Sequence, residues 1–170
     1  MSKEIINRVS DSKLITIDLE DFYPEGKRHV LDIKDWLHEG LFLKEKEFRS
    51  NINNFDWTKF NGSYVAVLCS NEAIIPTWAY LLIAIKLESN CIKNVVGDLN
   101  YLEKFIFKDL VNSMDLSLFV DKAVIIKGCT KKSIPVDAYF QIVDRLKPIT
   151  KTIMFGEACS SVPLYKKKNH

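Results

Sequence analysis

From Tyr64 onward, short apolar runs alternate with longer segments of helical period. Tyr64 to Leu68 is apolar and β-branched, the pattern of a strand buried on both faces. Pro76 to Leu87 reads as a helix, with proline in the first turn, where its missing N–H costs nothing. The alternation continues with a strand at Asn94 to Gly97, a helix at Leu99 to Met114 and a strand at Lys122 to Lys127. A helix at Pro135 to Leu146, stopped by Pro148, and a strand at Thr152 to Phe155 complete it.

Residues 1–60 are more charged and less regular. Leu14 to Leu19 and Val30 to Ile33 read as strands, with Tyr23-Pro24-Glu25-Gly26 turning between them, and this spacing predicts a hairpin. A helix is expected over Glu45 to Phe55. Strands alternating with helices predict an α/β fold: an open, mainly parallel four-stranded sheet with helices on both faces, plus an N-terminal α+β extension. The expected organisation is a single domain over 1–170, with the extension at 1–60, the α/β core at 61–165 and a basic tail at 166–170.

Composition narrows the functional classes. The chain is 47% hydrophobic and 27% charged, ordinary for a globular protein. A net charge of +2 gives no argument for nucleic acid, and Lys166-Lys167-Lys168 reads as a solvated tail. No apolar run reaches the roughly 18 residues of a membrane span, and no signal-peptide pattern opens the chain. The expected location is therefore the cytoplasm, where thiols stay reduced. Four cysteines in that setting point to free, metal-bound or reactive thiols rather than disulfides.

Three of the cysteines share a context. Cys69-Ser70 precedes Ile75-Pro76-Thr77-Trp78-Ala79-Tyr80, Cys129-Thr130 precedes Ile134-Pro135-Val136-Asp137-Ala138-Tyr139, and Cys159-Ser160 precedes Val162-Pro163-Leu164-Tyr165. Each follows an expected strand, and ligands in open α/β sheets bind beyond the carboxyl ends of strands. With the four strands ordered second, first, third, fourth, the three thiols would converge on one edge. Asp98 and Glu157 lie at the same edge, and either of them, His38 or water would complete a four-coordinate site. Thiolates suit zinc or an iron–sulfur cluster. Ser70, Thr130 and Ser160 would cap helices or donate to an anion. Cys91, between a helix and a strand at the opposite edge, reads as a small hydrophobe or a surface thiol.

Two other readings stay open. In one, the cysteines only pack, and the chain is a structural or interaction module that forms a homodimer through its N-terminal region. In the other it is a thiol enzyme, although no C-x-x-C pair or phosphatase-type Cys-to-Arg spacing is present. The acidic stretch Asp18-Leu19-Glu20-Asp21 reads as a solvated or turn-capping run, with a hard-cation site as the sharper alternative. No glycine-rich phosphate loop occurs, so no nucleotide is expected.

Leu19-Glu20-Asp21-Phe22-Tyr23-Pro24-Glu25-Gly26, Ile75 to Tyr80, Val124 to Cys129 and Gly156 to Tyr165 resemble a bacterial family known as domain of unknown function 2480. The resemblance covers nearly the whole chain and implies a single-domain bacterial protein. It implies no activity, substrate or cofactor.

Overall fold

The computed structural model describes residues 14–128 and 131–168. The chain divides into two compact units: Pro24–Ile106 forms one, and the described residues up to Tyr23 and from Phe107 onward form the other. Among the described residues, seven strands supply two sheets: β1 (Leu14–Ile17), β2 (Arg28–Asp32), β3 (Tyr64–Leu68), β4 (Lys93–Val96), β5 (Ala123–Ile126), β6 (Thr152–Glu157) and β7 (Ser160–Lys166). The helices are α1 (Glu45–Asn54), α2 (Thr77–Glu88), α3 (Leu99–Ser113) and α4 (Val136–Leu146).

The expected four-stranded, mainly parallel sheet is present, in the order β1-β5-β6-β7. A second, parallel sheet has the order β2-β3-β4. The expected single strand order is corrected, because β3 and β5 lie in different sheets. So is the hairpin. β1 runs parallel to β5 and β2 runs parallel to β3. The apolar residue each strand buries belongs to a different core, Ile17 of β1 in one unit and Leu31 of β2 in the other.

In the Pro24–Ile106 unit, one sheet face carries Leu31, Val65 and Val67. They pack with Phe48 and Ile52 of α1 and with Ala79, Ile83 and Leu87 of α2. The other face carries Tyr64, Ala66 and Val95 against Leu102 and Ile106 of α3. Helices thus cover both faces of this sheet, which explains why β3 reads as continuously apolar. In the other unit, Ile17, Val124, Ile126 and Ile153 pack against Phe107 and Val111 of α3 and Ala138, Ile142 and Leu146 of α4. Arg145 of α4 donates to the carbonyls of Val111 and of Met114 (2.9 Å), satisfying acceptors at the α3 C-terminus.

The two units repeat one design. Each centres on a strand flanked by parallel neighbours, β2-β3-β4 in one and β1-β5-β6 in the other. Pro76 and Pro135, Ala79 and Ala138, Ile83 and Ile142, and Leu87 and Leu146 follow at one constant spacing. The Ala, Ile and Leu of each helix form the i, i+4, i+8 stripe that is buried. At the same spacing, Gly97-Asp98 ends β4 and Gly156-Glu157 ends β6. Both glycines have positive φ, +150° and +117°. In the leading strands, Asp32 and Asp18 correspond in turn.

Candidate functional site

At the carboxyl edge of the β2-β3-β4 sheet, Cys69 follows β3 and is half-buried against the apolar cluster there. The neighbouring Tyr80 hydroxyl is pushed up in pKa, first by burial and then by the thiol of Cys69. Ser70 is exposed, and its N–H donates to Asp32 Oδ1 at 3.1 Å, the same oxygen that accepts from the Lys34 N–H at 3.1 Å. Burial raises the Asp32 pKa, but hydrogen bonds from Ser70 and Lys34 and the Lys34 charge outweigh it and hold the carboxyl below its usual value. Asp98 caps α3, accepting from the Tyr101 N–H at 2.7 Å. His38 Nδ1 lies 2.9 Å from Glu47 Oε2 and its Nε2 lies 2.6 Å from Lys44 Nζ, so both ring nitrogens are engaged. An open cleft of about 510 Å³ lies against Gly40, Leu41, Ser70, Asn71 and Glu72.

At the carboxyl edge of the other sheet, Cys129 and Thr130 lie outside the described residues. Cys159 is exposed in the two-residue turn between β6 and β7, and the flanking Glu157 and Ser160 pair as the last rung of that hairpin. The third cysteine segment therefore differs from the first two: Pro163 sits in an edge strand rather than before a helix. Asp18 accepts from the Glu20 N–H at 2.9 Å and pairs with Lys127 Nζ at 3.0 Å. That partnership, then the charge on Glu157, raises the Lys127 pKa. Glu20 Oε1 accepts the N–H groups of Lys131 (2.9 Å) and Lys132 (3.3 Å). Asp18 and Glu20 are thus occupied in capping a turn and holding the loop after β5.

Among the described residues, no three or more His, Cys, Asp or Glu side chains are grouped to hold a metal ion. Cys69 and Cys159 belong to different units. Cys91 is half-buried against the β2-β3-β4 core. Its thiol pKa is raised by burial and only partly offset by Asn94, in keeping with a small hydrophobe.

Sequence reading missed an apolar groove of about 370 Å³ on the β1-β5-β6-β7 unit. Val136 and Phe140 of α4, Phe155 of β6 and Leu164 of β7 line it, and Asp144 is the one charged residue in the lining. Phe140 is 70% exposed, Val136 67% and Leu164 51%. A signal was present in the helix period: Val136 and Phe140 are apolar, yet fall outside the Ala138-Ile142-Leu146 stripe that faces the core. α2 repeats the feature at Leu81, 59% exposed at the position equivalent to Phe140.

Among the described residues, no helix is long and apolar enough to cross a membrane. A family model described as Protein of unknown function (DUF2480) matches residues 3–167. No curated protein and no solved structure matches the chain.

Proposed function

Because the chain belongs to the DUF2480 family, whose description carries no activity, we propose from its geometry that it is an interaction module that self-associates through the α4–β7 face. The observation that carries this is the groove walled by Val136, Phe140, Phe155 and Leu164, of which Val136, Phe140 and Leu164 are more than half exposed. Exposed apolar patches of this kind mark interaction sites. A nearly uncharged patch needs no complementary charge on its partner, so a two-fold contact can bury it against itself. This moves the expected dimer contact from the N-terminal region to α4 and β7.

Sedimentation equilibrium tests the reading. The chain should be a dimer at about 100 µM, a concentration well above the Kd of most specific interfaces of standard size. Phe140→Asp should be monomeric and keep the wild-type far-UV circular dichroism spectrum, whereas Leu81→Asp should remain a dimer. A monomeric wild type at that concentration overturns the proposal, as does a Phe140→Asp variant that still dimerises.

A second reading keeps the thiols as ligands: Cys69, Cys129 and Cys159, with Asp98 or Glu157, binding zinc or an iron–sulfur cluster in a reducing cytoplasm. Its support is that Cys69 comes directly after the carboxyl end of β3 and Cys159 two residues after that of β6. Asp98 would have to leave its cap to take part. Elemental analysis after anaerobic, chelator-free purification decides it. Metal below about one-tenth mole per chain would sink a site expected to bind tightly.

A further inference from the structure

The amino ends of β5 and β6 and the carboxyl end of β7 lie at one edge of their sheet, and a lysine stands at each. The Lys151 N–H donates to the Lys122 carbonyl, and the Lys167 N–H donates to the Lys151 carbonyl, both at 2.8 Å. The three residues therefore form one row across three adjacent strands, about 4.8 Å apart at each step. Lys166 is one rung further in, paired with Thr152. Lys147, just past α4, lies over the Tyr165 ring at 6.0 Å. The run Lys166-Lys167-Lys168 thus begins inside a strand, and its charges are held beside those of two other strand ends.

Directly opposed like charges destabilise a sheet. The row spans about 10 Å, close to the screening length of 0.1 M salt, so the repulsion is only partly screened. Among the described residues, Lys122, Lys147, Lys151, Lys166 and Lys167 make no ion pair. A cavity of about 340 Å³ opens between Lys151, Thr152, Lys166 and Lys167, with Asp121 as its one acidic neighbour. The contrast within the same unit is informative. At the other sheet edge, Lys127 is paired with Asp18, and the Lys131 and Lys132 N–H groups are held by Glu20. The Lys127 charge is matched by an acid at one edge, whereas lysines gather around a cavity at the other.

We propose that this edge binds a compact polyanion, a small molecule carrying two or more successive phosphate groups. The short span favours such a ligand over nucleic acid, whose backbone needs cations spread along an extended track. Several closely spaced negative charges would neutralise the whole row at once.

Titration calorimetry of the full chain with inorganic tripolyphosphate, at low and at moderate salt, tests the proposal. One site per chain is expected, weakening as salt rises. The Lys151→Ala/Lys167→Ala double variant should bind about tenfold more weakly or worse, and Lys127→Ala should bind as the wild type does. Tripolyphosphate should raise the thermal midpoint of the wild type. Without it, the double variant should melt no lower than the wild type, since like charges have been removed; this separates lost binding from lost folding. The proposal is overturned if about 1 mM tripolyphosphate gives neither heat nor a midpoint shift, or if the double variant binds undiminished. Tighter binding of a single-stranded oligonucleotide at equal phosphate concentration, or of vesicles rich in anionic lipid, also overturns it and assigns the row to that polymer or surface.

Discussion

Asp32 offers a perturbation whose size can be worked from its contacts. Its Oδ1 accepts the N–H groups of Ser70 and Lys34, each at 3.1 Å, and so ties the end of β2 to the chain leaving β3. Hydrogen bonds to a charged group contribute about 1.5–3 kcal/mol each when shielded. The side chain is 24% exposed, so water competes for it. The Lys34 ammonium, 3.7 Å away and itself exposed, adds less than about 1 kcal/mol. Asp32→Ala should therefore cost about 2 kcal/mol, below the roughly 3–6 kcal/mol of two fully shielded bonds because water competes for the carboxylate. Asp32→Asn, which keeps an acceptor but loses the charge, should cost about half of that. The pH dependence has a definite sign. The folded pKa lies below the unfolded value of about 3.9, so the contribution is complete above that value and is lost as pH falls through the folded pKa. Urea unfolding followed by far-UV circular dichroism measures both effects. A penalty for Asp32→Ala below about 0.5 kcal/mol at pH 7 would refute the reasoning, because it is less than one ordinary hydrogen bond. So would a gap between wild type and variant that is as wide at about pH 2 as at pH 7.

Other expectations follow from the packing. Gln141 Oε1 is buried without a hydrogen-bond partner among the described residues, and the equivalent position in the other unit is Leu82. Gln141→Leu should stabilise by about 1 kcal/mol, read as a higher urea midpoint. Arg145→Ala leaves the Val111 and Met114 carbonyls unserved and should cost about 2 kcal/mol, with faster hydrogen exchange in the last turn of α3. Gly156→Ala puts a side chain at φ +117° and a Cβ 3.0 Å from the Ser160 carbonyl oxygen, and should cost about 1–3 kcal/mol in thermal unfolding. Gly97→Ala, whose near neighbour is the Tyr101 side chain, has more room to relax.

β3 and the four helices of the described residues were legible because their periods are clean, and each lies within a residue or two of the position expected for it. Sheet membership was not legible. β1 and β2 are close in sequence and separated by a turn, so local rules join them. Their true partners are set by which apolar faces are covered, a property of distant residues. β7 was missed because Cys159-Ser160…Val162-Pro163 imitates the strand–loop–helix pattern of the other two cysteine segments. Proline serves there in an edge strand, where an absent N–H is harmless. The same imitation made three cysteine segments look equivalent, when the prolines of the first two lead into helices and that of the third lies in β7. Asp98 and Glu157 were singled out for proximity to the thiols. Their deeper likeness, as the residue after a positive-φ glycine at the end of an equivalent strand, appears only when the two sheets are compared. The apolar face of α4 could have been read from Phe140, whereas the lysine row could not, since it joins residues from three separate strand ends.

The assignment of β1 to β5 has a consequence for the order of events during synthesis. One unit is a contiguous stretch, Pro24–Ile106, and β2 needs only β3 to begin its sheet. β1 emerges from the ribosome before β2, yet Leu14 must wait for Ala123 before it has a partner. The loop closed by that pairing is about three times longer than the one closed by β2 and β3, which adds about 1 kcal/mol of closure entropy. The nascent chain should therefore complete its middle before its beginning, with an apolar N-terminal strand held unpaired until β5 is made. Ribosome-bound chains in which Ile106 has cleared the exit tunnel but β5 has not should protect the amides of β3 from exchange while those of β1 remain open.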